Sequence, residues 1–241
     1  MCRSSAHGMC GLCRRSEAVN LDAAWLIDGL RMLIPLWLSL SVHEWAHART
    51  AFQLGDDTAA MLGRMTLNPL AHIDPIGTFL LPLMHVPFGW AKPVPVQPHR
   101  FRAGVNMRTG MMITAIAGPI ANLCLVALCM LLWVVLARFW PAVIAAEGHG
   151  VRELLRILII LNVILASFNL LPIPPLDGSR VADALMPRHL RPAWENFCQL
   201  GPFALIAVLV LPRIVGVDLF RWPLEAAEWA LHWLMILFGS R

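Results

Sequence analysis

The chain has 241 residues, 58% of them hydrophobic and only 14% charged, with a mean hydropathy of +0.65 and a net charge of +4. A soluble domain of this length carries about 25% charged residues, so the composition argues against a soluble globular protein and for a chain folded in a lipid bilayer. The modest positive charge suits basic loops, and no nucleic-acid-binding motif accompanies it.

The tail opens "MCRSSAHGMCGLC", which places Cys2, His7, Cys10 and Cys13 close together. A C-x-x-C pair beside a histidine can bind a metal, and a flexible, solvated terminus is the plainer reading. No cleavable signal peptide is expected, because the first strongly apolar run, from about Leu30, itself carries the most informative polar residues of the chain. Cys124, Cys129 and Cys198 lie in or near apolar segments, where cysteine behaves as a small hydrophobe.

Apolar periodicity predicts helices over roughly 30–52, 110–138, 153–171, 200–220 and 224–239. Several of these reach the roughly 20 residues that a helical membrane span needs. The first contains "LWLSLSVHEWAHARTAF", residues 36–52. On a helix, positions i and i+4 share a face, so His43 and His47 point the same way and can hold one zinc ion. Glu44 can reach a metal-held water without ligating the metal, which is the mechanical content of H-E-x-x-H: two imidazoles on the metal and one carboxylate as general base. Three ionisable groups in one turn of a membrane helix cost several kcal/mol unless they have a partner, and zinc is such a partner. The alternative is a helix end at the aqueous interface, with His43, Glu44, His47 and Arg49 simply solvated.

Next comes "LGRMTLNPLAHIDPIGT", rich in turn signals and carrying His72 and Asp74. His72 reads as an ordinary loop histidine, with gating or metal binding as the alternative. The apolar piece over 75–98 contains Pro75, Pro82, Pro87, Pro93, Pro95 and Pro98 with Gly77 and Gly89. Proline removes amide donors and breaks helices, so a regular spanning helix is not expected here.

A catalytic zinc usually has three protein ligands and one open position. The candidate third ligand is Asp177 in "FNLLPIPPLDGSR", residues 168–180, an acid at the end of a hydrophobic helix. Pro172, Pro174 and Pro175 open the backbone there, and irregular backbone at membrane depth is tolerated where it lines a polar cavity. Asn169, just ahead, offers an amide that can donate to a substrate carbonyl. A turn residue near the headgroups is the alternative for Asp177. The segment 178–199 is the most polar connection thereafter, and neither repeats nor a low-complexity linker are found.

Three motifs in order resemble the site-2 protease family of intramembrane zinc metalloproteases, peptidase family M50. "HEWAH" resembles its H-E-x-x-H, "AGPIAN", with Gly118, Pro119 and Asn122, its middle-helix G-P-x-x-N, and "NLLPIPPLDG" its N-x-x-P-x-x-x-x-D-G. "GRMTLNPLAHIDPIGT" and "GWAKPVPV" resemble the small prokaryotic branch without appended domains. The likeness runs from about Leu30 to Ala184. It implies a three-helix core, His43, His47 and Asp177 as ligands of Zn2+, Glu44 as base, and Asn169, with Asn122, near the substrate backbone or as oxyanion donors. A helix–helix hydrogen bond beside a close-packing Gly118 is the other role for Asn122.

If His47 and Asp177 share one metal, their helices must end at similar depth and run in the same direction. An odd number of crossings must then separate them. The 110–138 helix supplies one, so 75–98 should be re-entrant or strand-like. The expected fold is therefore an all-α polytopic membrane protein of five spans, with a flexible Cys-containing tail (1–24), an intramembrane metalloprotease core (25–184) and two extra C-terminal transmembrane helices (185–241). Arg64, Lys92, Arg100, Arg102, Arg108, Arg180, Arg188 and Arg191 would share one side, against Arg138, Arg152, Arg213 and Arg221 on the other. The positive-inside rule then turns the active site towards the cytoplasmic side of a cell membrane, with Arg3, Arg14 and Arg15 of the tail voting the other way. The expected activity is hydrolysis of peptide bonds in a transmembrane protein substrate. Two rival classes stand beside it: a catalytically inactive zinc-binding scaffold or adaptor, and a transporter. A transporter would show paired broken helices in two related halves, and no such repeat is found.

Overall fold

The computed structural model describes residues 23–80, 83–84, 89–145, 150–214, 216 and 221–238. The N-terminal cysteine tail and residues 81–82 and 85–88 of the proline-rich segment lie outside the described residues. Among the described residues all regular structure is helical: α1 (Ala23–Leu54), α2 (Thr58–Met61), α3 (Met107–Phe139), α4 (Pro141–Ala145), α5 (Val151–Asn169), α6 (Asp177–Leu185), α7 (Arg191–Gln199), α8 (Pro202–Ile214) and α9 (Arg221–Phe238). Short 3₁₀ turns and one π-helical stretch, Pro75–Leu80, join them.

Helices α1, α3 and α5 pack on one another as a three-helix core, α6 rests on α3, and α9 lies against α5 and α3. The buried positions of α5, Leu155, Leu158, Ile159, Asn162 and Ala166, recur at helical spacing and define its inward face. Helix α3 starts cleanly because the Asn106 side chain accepts from the amides of Arg108 and Thr109. Away from the site, Cys129, Trp133, Ile144, Leu155, Leu158, Ile159 and Leu231 form the largest apolar cluster. Cys129 is a packing residue there, and Cys124, Cys129 and Cys198 are all free thiols.

Contacts along the core give the helix directions. Asn162 Nδ2 of α5 donates to Ser39 Oγ of α1 at 2.8 Å, and farther along both segments Asp177 meets His43. Helices α1 and α5 therefore run in parallel. Helix α3 is antiparallel to them, since its Thr114 reaches His47 while Gly118 abuts both His47 and His43.

Among its described residues, the 75–98 segment forms no regular spanning helix. The π-helical stretch Pro75–Leu80 packs on α1, and the chain returns through residues 89–97 without regular secondary structure. The Trp90 amide donates to the Gly77 carbonyl, Thr78 Oγ1 to the Trp90 carbonyl, and the Lys92 amide to the His72 carbonyl. Both legs thus lie side by side and the chain reverses between them. The hairpin follows α1 from Val94 at Glu44, past Thr78 at Trp37, to Leu83 at Gly29, a rise of roughly 22 Å along a helix. Its two legs can approach only because they meet at glycines: a Cβ on Gly77 would lie 2.5 Å from the Trp90 ring, and one on Gly89 would lie 2.5 Å from the Gly77 carbonyl oxygen.

Three expectations change. The polar stretch 178–199 is not a plain connection but carries α6 and α7, because apolar residues at helical spacing (Trp194, Phe197 and Cys198 in α7) give short amphipathic helices. Asp177 does not end the hydrophobic helix: α5 stops at Asn169, the prolines make a turn, and Asp177 opens α6. The 200–220 helix is described over the 13 residues of α8. Among the described residues, α3 is the one helix long and apolar enough to cross a membrane by itself, with a mean hydropathy of 2.7 and only 17% of that stretch buried.

Candidate metal centre

The centre is assembled from segments far apart in sequence. Helix α1 presents His43, Glu44 and His47 on its inward face, all less than a tenth exposed. The proline turn after α5 swings the chain back so that Asp177, the first residue of α6, points at the two imidazoles. Gly178 permits this return, since any Cβ there would overlap the Leu170 and Leu171 backbone. His43 Nε2 and His47 Nε2 lie 3.0 Å apart, and each approaches Asp177 Oδ2, at 3.1 and 3.2 Å.

This triangle suits a tetrahedral metal. Ligand atoms held about 2.0–2.2 Å from a tetrahedral zinc stand about 3.3–3.5 Å apart, slightly wider than the triangle seen here. The chemistry of the donors points the same way. His47 donates Nδ1–H to the Thr114 carbonyl at 2.7 Å, which in the neutral ring leaves the Nε2 lone pair facing the other two donors. Lone pairs so close repel unless a proton or a cation lies among them, and two imidazoles with one carboxylate are a common catalytic zinc set. Helix α3 completes the cradle with Gly118, where a Cβ would fall 2.5 Å from His47 Nε2 and 2.6 Å from His43 Cε1.

Glu44 stands beside this triangle and does not belong to it. Its Oε2 accepts the Val94 amide at 2.8 Å. The centre opens into a cavity of about 1040 Å³ between α1, the returning leg of the hairpin, α5 and α8, lined by Leu40, Trp90, Val96, Leu161 and Leu205 among mainly apolar side chains.

Of the residues singled out in the sequence, His43, His47 and Asp177 come together, and Glu44 and Asn169 line the same cavity. Asn169 spends one amide hydrogen on the Leu165 carbonyl of its own helix, at 3.0 Å. Asn122 is fully buried one turn beyond Gly118, and neither its Oδ1 nor its Nδ2 has a hydrogen-bond partner among the described residues, so it makes no helix–helix hydrogen bond. His72 stands apart from the metal group. It is buried, with Nε2 against the Thr66 carbonyl and its own carbonyl on the Lys92 amide, as a loop clasp.

Two contributors escape a reading of side-chain chemistry, because both act through the backbone: the Thr114 carbonyl behind His47 and the Val94 amide on Glu44. The second leaves a faint trace in "KPVPV", where alternating prolines keep an N–H on Val94 while removing those on either side.

Comparison with known proteins agrees with this centre. Residues 138–211, a span that includes Asp177 but not the histidines, match the family model described as peptidase family M50. The chain is 38% identical over 193 residues to YwhC of Bacillus subtilis (strain 168), named as a candidate zinc metalloprotease, covering 80% of this chain and 84% of that one. It is 33% identical over 207 residues to Rip2 of Mycolicibacterium smegmatis (82% and 72% covered), which bears the same description. Rip2 of Mycobacterium tuberculosis (strain H37Rv), described likewise, is 34% identical over 186 residues (75% and 66% covered). No solved structure matches the chain.

Proposed function

We propose, from the premise that the chain belongs to peptidase family M50 and is a zinc metalloprotease, that it cleaves transmembrane protein substrates within or near the bilayer, with His43, His47 and Asp177 holding the zinc and Glu44 acting as general base. The observation that carries the assignment is the triangle of His43 Nε2, His47 Nε2 and Asp177 Oδ2, none farther than 3.2 Å from another.

When bound, zinc supplies Lewis acidity, which polarises a scissile carbonyl and brings the pKa of a water it holds to about 7. Glu44 would accept the proton of an attacking water and return it to the leaving amine. With Oε2 on the Val94 amide, Oε1 is the oxygen available for that transfer. Thr114 holds the His47 ring with Nε2 turned inward. Asn169, with one amide hydrogen uncommitted, serves as an oxyanion donor. The apolar cavity suits a transmembrane segment that has locally unwound. The Val94 carbonyl and the Val96 amide, which bond nothing among the described residues, support pairing of that segment with the returning leg of the hairpin by strand addition.

The membrane arrangement rests on related support. Exposed apolar side chains on α3 (Leu123, Leu128, Leu131, Leu132) and on α9 (Trp222, Trp229, Trp233) suit lipid-facing surfaces better than water-facing ones. The parallel course of α1 and α5 suits five spans with a re-entrant hairpin, in a tail (1–24), a protease core (25–184) and C-terminal transmembrane helices (185–241). The charge bias of the loops supports an active site towards the cytoplasm, against the vote of Arg3, Arg14 and Arg15.

The test is zinc per chain in detergent-purified protein. About one zinc is expected, and Asp177→Ala should lose it or hold it far more weakly. Zinc that survives Asp177→Ala unchanged would place the third ligand elsewhere. Glu44→Gln should keep the metal and the fold but lose turnover, whereas a zinc-bearing scaffold would be indifferent to it.

A further inference from the structure

Glu44 is a buried carboxylate on a long side chain, and its only hydrogen bond among the described residues is the one from Val94. A carboxylate with three rotatable bonds and no anchor would sample several positions. One oxygen tied down and one left open is what a base needs in order to meet a proton at a fixed place.

The donor is itself held by residues outside the metal site. The Arg64 guanidinium donates to the carbonyls of Lys92 and Pro93 at 2.6 and 2.8 Å. The Lys92 amide is bound by the His72 carbonyl at 3.0 Å, and the Gln97 amide by Asp56 Oδ2 at 2.6 Å. Four bonds thus fix residues 92–97, and a fifth leads from this strap to the base. Pro93 and Pro95 have no N–H to offer, so over residues 93–95 the Val94 amide is the only backbone donor.

We infer that Val94 is a positioning residue for the reaction, acting through its backbone amide: the strap, clamped by Arg64, His72 and Asp56, sets Glu44 at its working place through this one hydrogen bond. The inference deepens the reading of Glu44 as base and rests on it. It also explains a polyproline-like strap interrupted by a residue that is not proline, since a third proline would keep the extended backbone and delete the anchor.

The experiment uses the full chain, zinc-loaded in detergent, with fluorescein-labelled casein as a probe whose backbone is already unfolded. Val94→Pro is compared with Val94→Ala, which alters the side chain but keeps the N–H. The expected result is a kcat about 10- to 100-fold lower in Val94→Pro than in Val94→Ala, with KM within about twofold and zinc content equal. Equal kcat in the two variants, with Glu44→Gln inactive, would overturn the inference and leave the base assignment standing. A fully active Glu44→Gln would remove the base assignment and the inference with it. Amide exchange on zinc-loaded protein decides the matter without a substrate, should Val94→Pro fail to fold or the probe resist cleavage. Glu44→Ala should speed exchange at Val94 at least about tenfold while Lys92 and Gln97 keep their protection. Unchanged exchange at Val94 would mean that the carboxylate does not hold the amide.

Discussion

Gly118 contributes no side chain, and that is its use. It lies where α3 crosses the two imidazoles, and a methyl group there would fall 2.5 Å from Nε2 of His47, the nitrogen proposed to hold the metal. Real Cβ atoms do not tolerate such a contact, so in Gly118→Ala either an imidazole or α3 must shift, and the expected shift is of a ring. Misplacing a ligand or its support typically costs 10- to 100-fold in metal affinity. Competition with a fluorescent zinc chelator should show a loss of about that size, with helix content unchanged by circular dichroism; wild-type affinity would mean that α3 can retreat without cost. Asn122, one turn farther along, is the opposite case. Its amide has no hydrogen-bond partner among the described residues, and a buried amide left so costs about 1–3 kcal/mol.

The strap and the turn that anchors it behave as one element. Asp56, 1% exposed just beyond the end of α1, accepts from the Gln97 amide and from both the amide and the hydroxyl of Thr58. Burial alone would raise its pKa. The hydrogen bonds from Gln97 and Thr58, with the nearby charge of Arg100, outweigh burial and hold it below the usual carboxylate value. A carboxylate depressed on folding adds stability above its unfolded pKa of about 3.9, and that stability is lost as pH falls through the lower folded value. Wild type should therefore melt higher than Asp56→Asn at pH 7, and the gap should close as the pH drops below about 4. Thermal unfolding in detergent at a series of pH values reads this directly, and a gap independent of pH would show that the charge on Asp56 does not hold the strap.

Across the whole molecule, one geometric fact organises the rest: α1 and α5 run in parallel with α3 between them in the opposite sense. The hairpin enters and leaves at the same end of α1, so it adds no crossing to the count. Reporters fused near Lys92 and near Arg188 should then report the same side of the membrane, and the side of higher basic charge should be cytoplasmic. Opposite sides for the two reporters would mean that the hairpin crosses and that the proposed five-span arrangement is wrong. Helix α8 adds Leu205 and Ile206 to the cavity wall, so the cavity beside the metal centre is completed by a helix from outside the three-helix core.

Much of this protein was legible in one dimension because the signals are local. The i, i+4 spacing of His43 and His47 puts two imidazoles on one face of any helix, and the apolar runs set where helices form. Proline and glycine in 75–98 forbid a regular span whatever surrounds them. Asp177 could be named as a partner from its motif, yet its place at the start of α6, rather than the end of α5, depends on how the proline turn folds back over Gly178. The role of Thr114 had no sequence signature of its own, and that of Val94 only the faint one of its flanking prolines, because every residue except proline carries the same amide and every residue the same carbonyl. Which of them meets an imidazole or a carboxylate is decided only when helices 67 residues apart, or a helix and a strap 50 residues apart, are brought within hydrogen-bond distance. Side-chain chemistry is written in the sequence, whereas the direction in which the backbone aims its dipoles exists only in the folded chain.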